Sequence, residues 1–195
     1  MVCINYKLSL SLFKIDFRKM KSLFIIFICV ICATTIAAQS AEHGVPAFRN
    51  YSPKDYGQES QNFSVLQNQQ HVMYFGNSNG IMEFDNTTWR LVKVTGRPVM
   101  DINSKNEIYF GGYNHLGKIE HKNGLPTTST IDYYQEIKPG QIQKIVALDD
   151  EVFFTTSHQL LIYKNDTLIL EQSNAEGINI FKQNNKVLIY MPTRG

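Results

Sequence analysis

Histidine has the widest chemical use of the side chains in this sequence, as a metal ligand or as an acid–base group. The chain contains five histidines, and none stands in an HxH or HExxH spacing that would bring two imidazoles to one metal ion. We therefore interpret all five as loop and turn residues and predict no metal site. They are His43, His71, His115, His121 and His158.

Carboxylates, glycines and a Ser–His pair offer three further kinds of chemistry. Asp149, Asp150 and Glu151 could pair as catalytic carboxylates, but they precede a hydrophobic run as a hairpin turn does. Residues 111–117 have the glycine density of a phosphate loop, but they lack the following Lys and Ser or Thr. Ser157 and His158 adjoin without a third group to orient them. We assign no catalytic, metal-binding or cofactor-binding residue and predict that this chain is not an enzyme.

The secondary-structure elements that carry these residues can be predicted from a sequence repeat. One short hydrophobic motif occurs four times. Its matching positions, which we call the anchors, are Met73, Ile108, Val152 and Val187, with spacings of 35, 44 and 35 residues. Periods of this length are typical of β-propeller blades. Aromatic residues recur at matching positions, which predicts packing between blades. They are Tyr74, Tyr109, Phe110, Phe153 and Phe154.

Each repeat divides into four short apolar runs separated by polar turns, which is the pattern of four antiparallel strands. The innermost strands are predicted at 63–66, 99–102, 142–146 and 178–181, and the anchor strands at 72–76, 107–111, 151–155 and 186–190. Third strands are predicted at 80–84, 116–120 and 159–163, and fourth strands at 88–92, 130–133 and 168–170.

The predicted fold class is all-β, a β-propeller with four antiparallel strands per blade. The blades span about 61–95, 97–134, 141–172 and an incomplete 177–195, after a lead-in segment at 39–60. Three blades and half of a fourth cannot close a ring, which needs at least four. We therefore expect a fragment whose partners include the remaining blades of the same protein, with an open hydrophobic edge on the last strand pair.

Residues 1–38 have the organisation of a signal peptide. A basic region containing Arg18 and Lys21 precedes an uncharged apolar run at 23–36, and small residues precede a predicted cleavage between Ala38 and Gln39. The run is shorter than the roughly 20 residues of a membrane span, so export is favoured over a retained anchor. A start at Met20 would give a shorter signal peptide. The prediction is export to the periplasmic side of the inner membrane.

Removing this segment changes the charge and the cysteine count. The first 38 residues contain five of the 19 basic residues and one of the 17 acidic residues, so the remainder has 14 basic and 16 acidic side chains. A slightly acidic chain lacks the basic patch of a nucleic-acid-binding protein. Cys3, Cys29 and Cys32 all fall in the removed part, which leaves no disulfide.

The lead-in and the first blades resemble a known family. Residues 43–56, the 61–63 segment, the 73–77 motif, Gly80 and the 85–89 turn with its Trp are similar to the extracytoplasmic sensors of Bacteroidetes-type regulators. The resemblance covers about residues 43–125. It implies two-component regulator propeller repeats followed by a triple-tyrosine domain, a transmembrane helix, and a histidine kinase or LuxR-like output. Neither the triple-tyrosine domain nor the output is present in this sequence.

Two classes of function follow. The resemblance implies a membrane-anchored sensor whose propeller binds an unidentified small ligand such as a glycan fragment. It also implies a second copy of the chain as a partner in a homodimer. The alternative is a secreted propeller enzyme (a lyase, glycoside hydrolase or quinone dehydrogenase) or an interaction scaffold. An enzyme would place acid–base groups where the innermost strands begin. The residues there are Gln61, Asn62, Arg97, Pro98, Gln141, Glu176 and Gly177, a set that favours the sensor.

Overall fold

The computed structural model describes residues 21, 24, 25, 27, 28, 48–133, 138–172 and 177–191. The chain divides into two compact units, Met1–Arg49 and Asn50–Gly195. In the first unit, Lys21 and four exposed apolar residues are helical: Phe24, Ile25, Phe27 and Ile28. The predicted cleavage site, the three cysteines, His43 and Glu176 lie outside the described residues. Within the described part, no helix has the length and apolarity needed to span a membrane.

The second unit contains antiparallel sheets, and within each sheet every strand pairs with the strand that follows it in the chain. A short helix precedes them, α1 (Pro53–Tyr56). The first sheet contains β1 (Asn62–Gln67), β2 (Met73–Asn77), β3 (Gly80–Phe84) and β4 (Trp89–Val92). The second contains β5 (Val99–Ile102), β6 (Ile108–Gly111), β7 (Leu116–Lys122) and β8 (Leu125–Thr130). The third contains β9 (Lys144–Ala147), β10 (Glu151–Thr155), β11 (Leu160–Lys164) and β12 (Thr167–Gln172), and the pair β13 (Asn179–Gln183) and β14 (Lys186–Tyr190) follows.

This architecture confirms the predicted fold class of four-stranded, propeller-like blades. The four anchors fall on β2, β6, β10 and β14, the second strand of each sheet. Tight turns are formed by residues that tolerate a left-handed backbone. Asn165 and Asp166 join β11 to β12 with φ of 50° and 56°, and Asn184 and Asn185 join β13 to β14 with φ of 46° and 59°.

Two predicted strands were misplaced. The fourth strand of the second blade was predicted at 130–133 but is β8, because Asn123 and Gly124 (φ 53° and 77°) make a two-residue hairpin. His121 and Lys122 therefore belong to β7. The innermost strand of the third blade was predicted to begin at Ile142 but begins at Lys144. The Ile142 N–H instead donates to the carbonyl of Gly112 in the preceding blade (3.0 Å).

The core lies between successive blades. Along each anchor strand, side chains alternate between the two faces of the sheet. Tyr74 of blade 1 therefore packs in one cluster with Phe110 of blade 2, and Tyr109 of blade 2 packs in the next cluster with Phe154 of blade 3. All the predicted aromatic positions are buried, which confirms that this series is core.

The outer face of blade 1 is covered by residues 51–57, which we call the N-terminal strap. Trp89 stacks on Phe84 with ring centroids 4.3 Å apart. Tyr51 and Tyr56 of the strap contact Trp89 with centroids 5.4 Å away. Phe75, the neighbour of Tyr74 in β2, also contacts Trp89 with centroids 5.5 Å apart, so alternation along β2 places this ring cluster on the opposite face from Tyr74. The strap thus covers the face of blade 1 that points away from blade 2.

The last described strand pair has the exposed apolar surface that the sequence predicts. Ile180 is buried against the third blade. The larger residues beside it are 40–59% exposed: Phe181, Leu188, Ile189 and Tyr190.

Candidate functional site

The candidate site lies where the innermost strands begin. β1 contacts β5, β5 contacts β9 and β9 contacts β13. The Ser64 hydroxyl, near the start of β1, donates to the carbonyl of Pro98, just before β5 (2.9 Å). The N–H of Ala147, which ends β9, donates to the Asp101 carboxylate in the second half of β5 (2.7 Å). The innermost strands thus run side by side, and their starting residues lie at one end, as the propeller prediction requires.

Arg97 is held at this end by its backbone. Its N–H donates to Oε1 of Gln141 (3.0 Å), and Nε2 of Gln141 donates to the Arg97 carbonyl (2.8 Å). This clamp joins residues 44 positions apart and leaves the guanidinium free to lie over the Phe63 ring, 5.8 Å from its centroid. A cavity of about 230 Å³ opens beside the pair. It is lined by Phe63, Arg97, Val99, Gln141, Ile142 and Gln143.

A second cation lies over an aromatic ring between the third blade and the last strand pair. Lys144, the first residue of β9, places its ammonium 4.1 Å from the ring centroid of Phe181 on β13. Within the described residues, neither Arg97 nor Lys144 forms an ion pair. A cation on an aromatic face keeps its charge available to a ligand while the ring offers a flat apolar surface. This arrangement can bind an anion that has an apolar face.

The other predicted entrance residues have structural roles. Nδ2 of Asn77 donates to the carbonyls of Glu59 and Gln61 and to the Asn62 side chain, so Asn62 helps fix the strand start. Pro98 is buried and accepts the Ser64 hydrogen bond. Gly177 has a positive φ of 69°.

The histidines are dispersed. His71 lies in the β1–β2 turn with a φ of 63°, and the His158 N–H donates to the Thr156 hydroxyl in the β10–β11 turn. His115 packs edge-on against Phe110, where burial lowers the pKa of its imidazole. In the part of the chain that the structure describes, no three His, Cys, Asp or Glu residues come together as metal ligands.

The acidic run at 149–151 joins neighbouring blades. Asp149 accepts hydrogen bonds from the N–H (3.0 Å) and the hydroxyl (2.6 Å) of Ser104, and the hydroxyl bond holds the pKa of Asp149 below its usual value. Asp150 lies 3.5 Å from Lys105, and Glu151 pairs with Lys164. Asp149 and Asp150 lie in the turn before β10, as predicted, and contact a turn of blade 2, whereas Glu151 begins β10 and pairs with a strand of its own blade. Of the glycine-rich segment 111–117, residues 112–115 form the turn between β6 and β7, and the others belong to those two strands.

A second polar site was not predicted. Glu83, in the middle of the apolar strand β3, has a side chain that is only 4% exposed. Its Oε1 lies 3.2 Å from Nη1 of Arg90, and its Oε2 lies 2.6 Å from Nε2 of His121 in blade 2. Arg90 also contacts Asp85 (2.6 Å). The sequence feature that could have revealed this site is the charged Glu83 inside an otherwise hydrophobic strand.

These residues line a cavity of about 390 Å³ between blades 1 and 2, which we call the interblade groove. Tyr74 also lines it, and its buried hydroxyl makes no hydrogen bond to the described residues. Burial raises the pKa of Tyr74, and the charge of nearby Glu83 raises it further. Asp85 is held ionised by the Thr87 hydroxyl and the Thr88 N–H, which lower its pKa.

No protein-family model matches the chain, and no curated protein matches it.

Proposed function

We propose that this chain is the N-terminal, extracytoplasmic, ligand-sensing propeller region of a membrane-spanning regulator of the two-component type. The resemblance of residues 43–125 to such sensors supports the proposal, as does the repeated four-stranded sheet. The observation that carries it is the pair of cations on aromatic rings, Arg97 on Phe63 and Lys144 on Phe181, where the innermost strands begin. Cations on aromatic rings can bind a ligand through its charge and its apolar surface.

Among the described residues, the same end of the sheets lacks the acid–base groups that catalysis would use. An enzyme working there would need a proton donor and a proton acceptor within hydrogen-bonding reach of one substrate. The described residues at the predicted strand entrances are amides, a proline, a glycine and one guanidinium, which can only donate hydrogen bonds: Gln61, Asn62, Arg97, Pro98, Gln141 and Gly177. This composition favours the sensor over a secreted enzyme.

The chemistry of the site defines the ligand class. Each of the two cations lacks an ion-pair partner in the described part, which favours an anion, and each lies on an exposed ring, which favours a flat apolar face on that anion. An acidic sugar fragment meets both requirements, because its carboxylate is charged and one face of its ring carries C–H groups. Ligand binding in the propeller would then be transmitted to a cytoplasmic output.

Replacing Arg97 with alanine should weaken the binding of D-glucuronate at least tenfold, because a charge-assisted hydrogen bond is lost. Titration calorimetry on the full chain measures the change, with Lys122→Ala, in an exposed part of β7, as the matched loss of one positive charge. Equal affinity for D-glucuronate and uncharged D-glucose would contradict an anion site, as would equal effects of the two substitutions.

Export provides a separate test of the proposal. Residues 1–195 fused to alkaline phosphatase, which is active only outside the cytoplasm, should give an active enzyme in a Gram-negative host. Removing residues 1–38 should abolish the activity, because the basic and apolar regions of the signal are lost. A fusion that begins at Met20 should keep it. Full activity of the fusion that lacks residues 1–38 would disprove the signal.

A further inference from the structure

The interblade groove contains a buried polar group for which the fold supplies no partner. Tyr74 is 1% exposed, and its hydroxyl lies near the side chains of Glu83 and Asn68 but forms no hydrogen bond of normal geometry with them or with any other described residue. A buried hydroxyl without a partner is costly, so native proteins generally provide one from the protein, from water or from a ligand. The groove next to it, at about 390 Å³, is far larger than one water molecule and falls in the range of small-molecule sites.

The charges in the groove are already paired with one another. Glu83 accepts from Arg90 and contacts His121, and Asp85 accepts from Arg90, the Thr87 hydroxyl and backbone N–H groups. A charged ligand would have to displace one of these partners, and the Glu83 carboxylate, whose side chain is only 4% exposed, would then lose a group that stabilises its charge. The groove therefore favours an uncharged ligand.

The groups left for a ligand are mainly donors. Oδ1 of Asn68 already accepts from the backbone N–H groups of Gln70 and Val72, so this side chain can offer only its amide hydrogens to the groove. Oε1 of Gln70 accepts from Asn106, which leaves the Gln70 amide hydrogens. With the Tyr74 hydroxyl, these groups match a ligand that carries several acceptor oxygens.

The walls of the groove add an apolar surface. Val72, Ile108 and Ile119 line it between the polar groups. A compact ring with oxygens on its edge and C–H groups on its faces satisfies the donors and the walls together. We infer that the interblade groove binds a small uncharged polyhydroxy compound of monosaccharide or cyclitol size, with the Tyr74 hydroxyl as its buried hydrogen-bond partner. This site is separate from the one formed by Arg97 and Lys144 and does not depend on the function proposed for that site.

The test uses myo-inositol as the probe and the full chain labelled with ¹³C-histidine. The His121 imidazole lies at the groove, whereas His158 lies in a turn of blade 3 and serves as an internal reference. We expect myo-inositol to shift the His121 Cε1–H resonance saturably while that of His158 stays in place. Tyr74→Phe should raise the Kd about fivefold or more, as expected for one lost hydrogen bond.

Two controls separate recognition from folding. Tyr113→Phe removes a hydroxyl from a half-exposed tyrosine that does not line the groove, and it should leave the Kd unchanged. Tyr74→Phe should keep or raise the melting temperature, because it removes a buried hydroxyl that has no partner. A lower melting temperature would show that the hydroxyl is paired within the protein, and that result would overturn the inference.

Three binding results would also overturn it. One is the lack of any saturable His121 shift with myo-inositol, glycerol or D-glucose. Another is an unchanged Kd in Tyr74→Phe. The third is tighter binding of acetate or methylammonium than of the polyols at His121, which would mean that the groove selects for charge.

Discussion

Replacing Phe110 with alanine should lower the free energy of unfolding by about 3–5 kcal/mol, the usual cost of deleting a fully buried aromatic ring. Phe110 is 0% exposed and belongs to the cluster that joins blades 1 and 2. Its ring lies so close to Gly117 that a Cβ at that glycine would fall 2.7 Å from the ring. Neighbours held this tightly by backbone cannot collapse into the cavity, which places the loss toward the upper end of the range.

Urea unfolding measures this loss, and Leu125→Ala is the matched control. Leu125 is a large apolar residue of the same blade but is 61% exposed, so its removal should change the free energy of unfolding by less than about 0.5 kcal/mol. A loss under about 1 kcal/mol for Phe110→Ala would contradict the burial of β6 between two blades.

Gly80→Ala should destabilise the protein by several kcal/mol, on the order of 3 or more, for two reasons that add. The backbone of Gly80 has a φ of 137°, which side-chain-bearing residues rarely adopt. An added Cβ would also lie 2.2 Å from the carbonyl oxygen of Val92 and 2.9 Å from the Val94 nitrogen. Those atoms are backbone, so relief requires β3 to move away from the chain that follows β4.

Gly124→Ala separates the two causes. Gly124 also has a positive φ, 77°, but nothing lies within 4 Å of an added Cβ, so only the backbone strain of about 1 kcal/mol applies. The two variants are compared by thermal and urea unfolding. Equal losses would mean that the close approach at Gly80 does not exist in solution.

Much of the fold could be predicted from sequence because each strand is a local pattern. A run such as Glu151–Thr155 is hydrophobic, rich in aromatic residues and too short for a helix, and it forms β10 with the predicted bounds. The fourth strand of blade 2 was misplaced because strands were predicted from hydrophobic runs, and β8 has none. The segment Leu125–Thr130 is mostly Thr, Ser and Pro, and only the Asn123–Gly124 hairpin signals that a strand must follow.

The sites were predicted less completely because they depend on pairing across blades. Arg97 and Gln141 could be placed at strand entrances, since each precedes an innermost strand. The two hydrogen bonds between Arg97 and Gln141 could not be predicted, because they depend on how one blade packs on the next. The contact between Glu83 and His121 spans 38 residues and requires His121 to be inside β7, whereas the sequence placed it in a turn.

The N-terminal strap has a consequence for the order of folding. Trp89 and Phe84 gain their cover from Tyr51 and Tyr56, residues that precede them in the chain. Blade 1 can therefore shield its outer face as soon as its own fourth strand has emerged, without waiting for any blade made later. We expect the strap and blade 1 to act as the nucleus onto which each later blade adds in turn, so that the hydrophobic surface exposed during synthesis stays at the growing end.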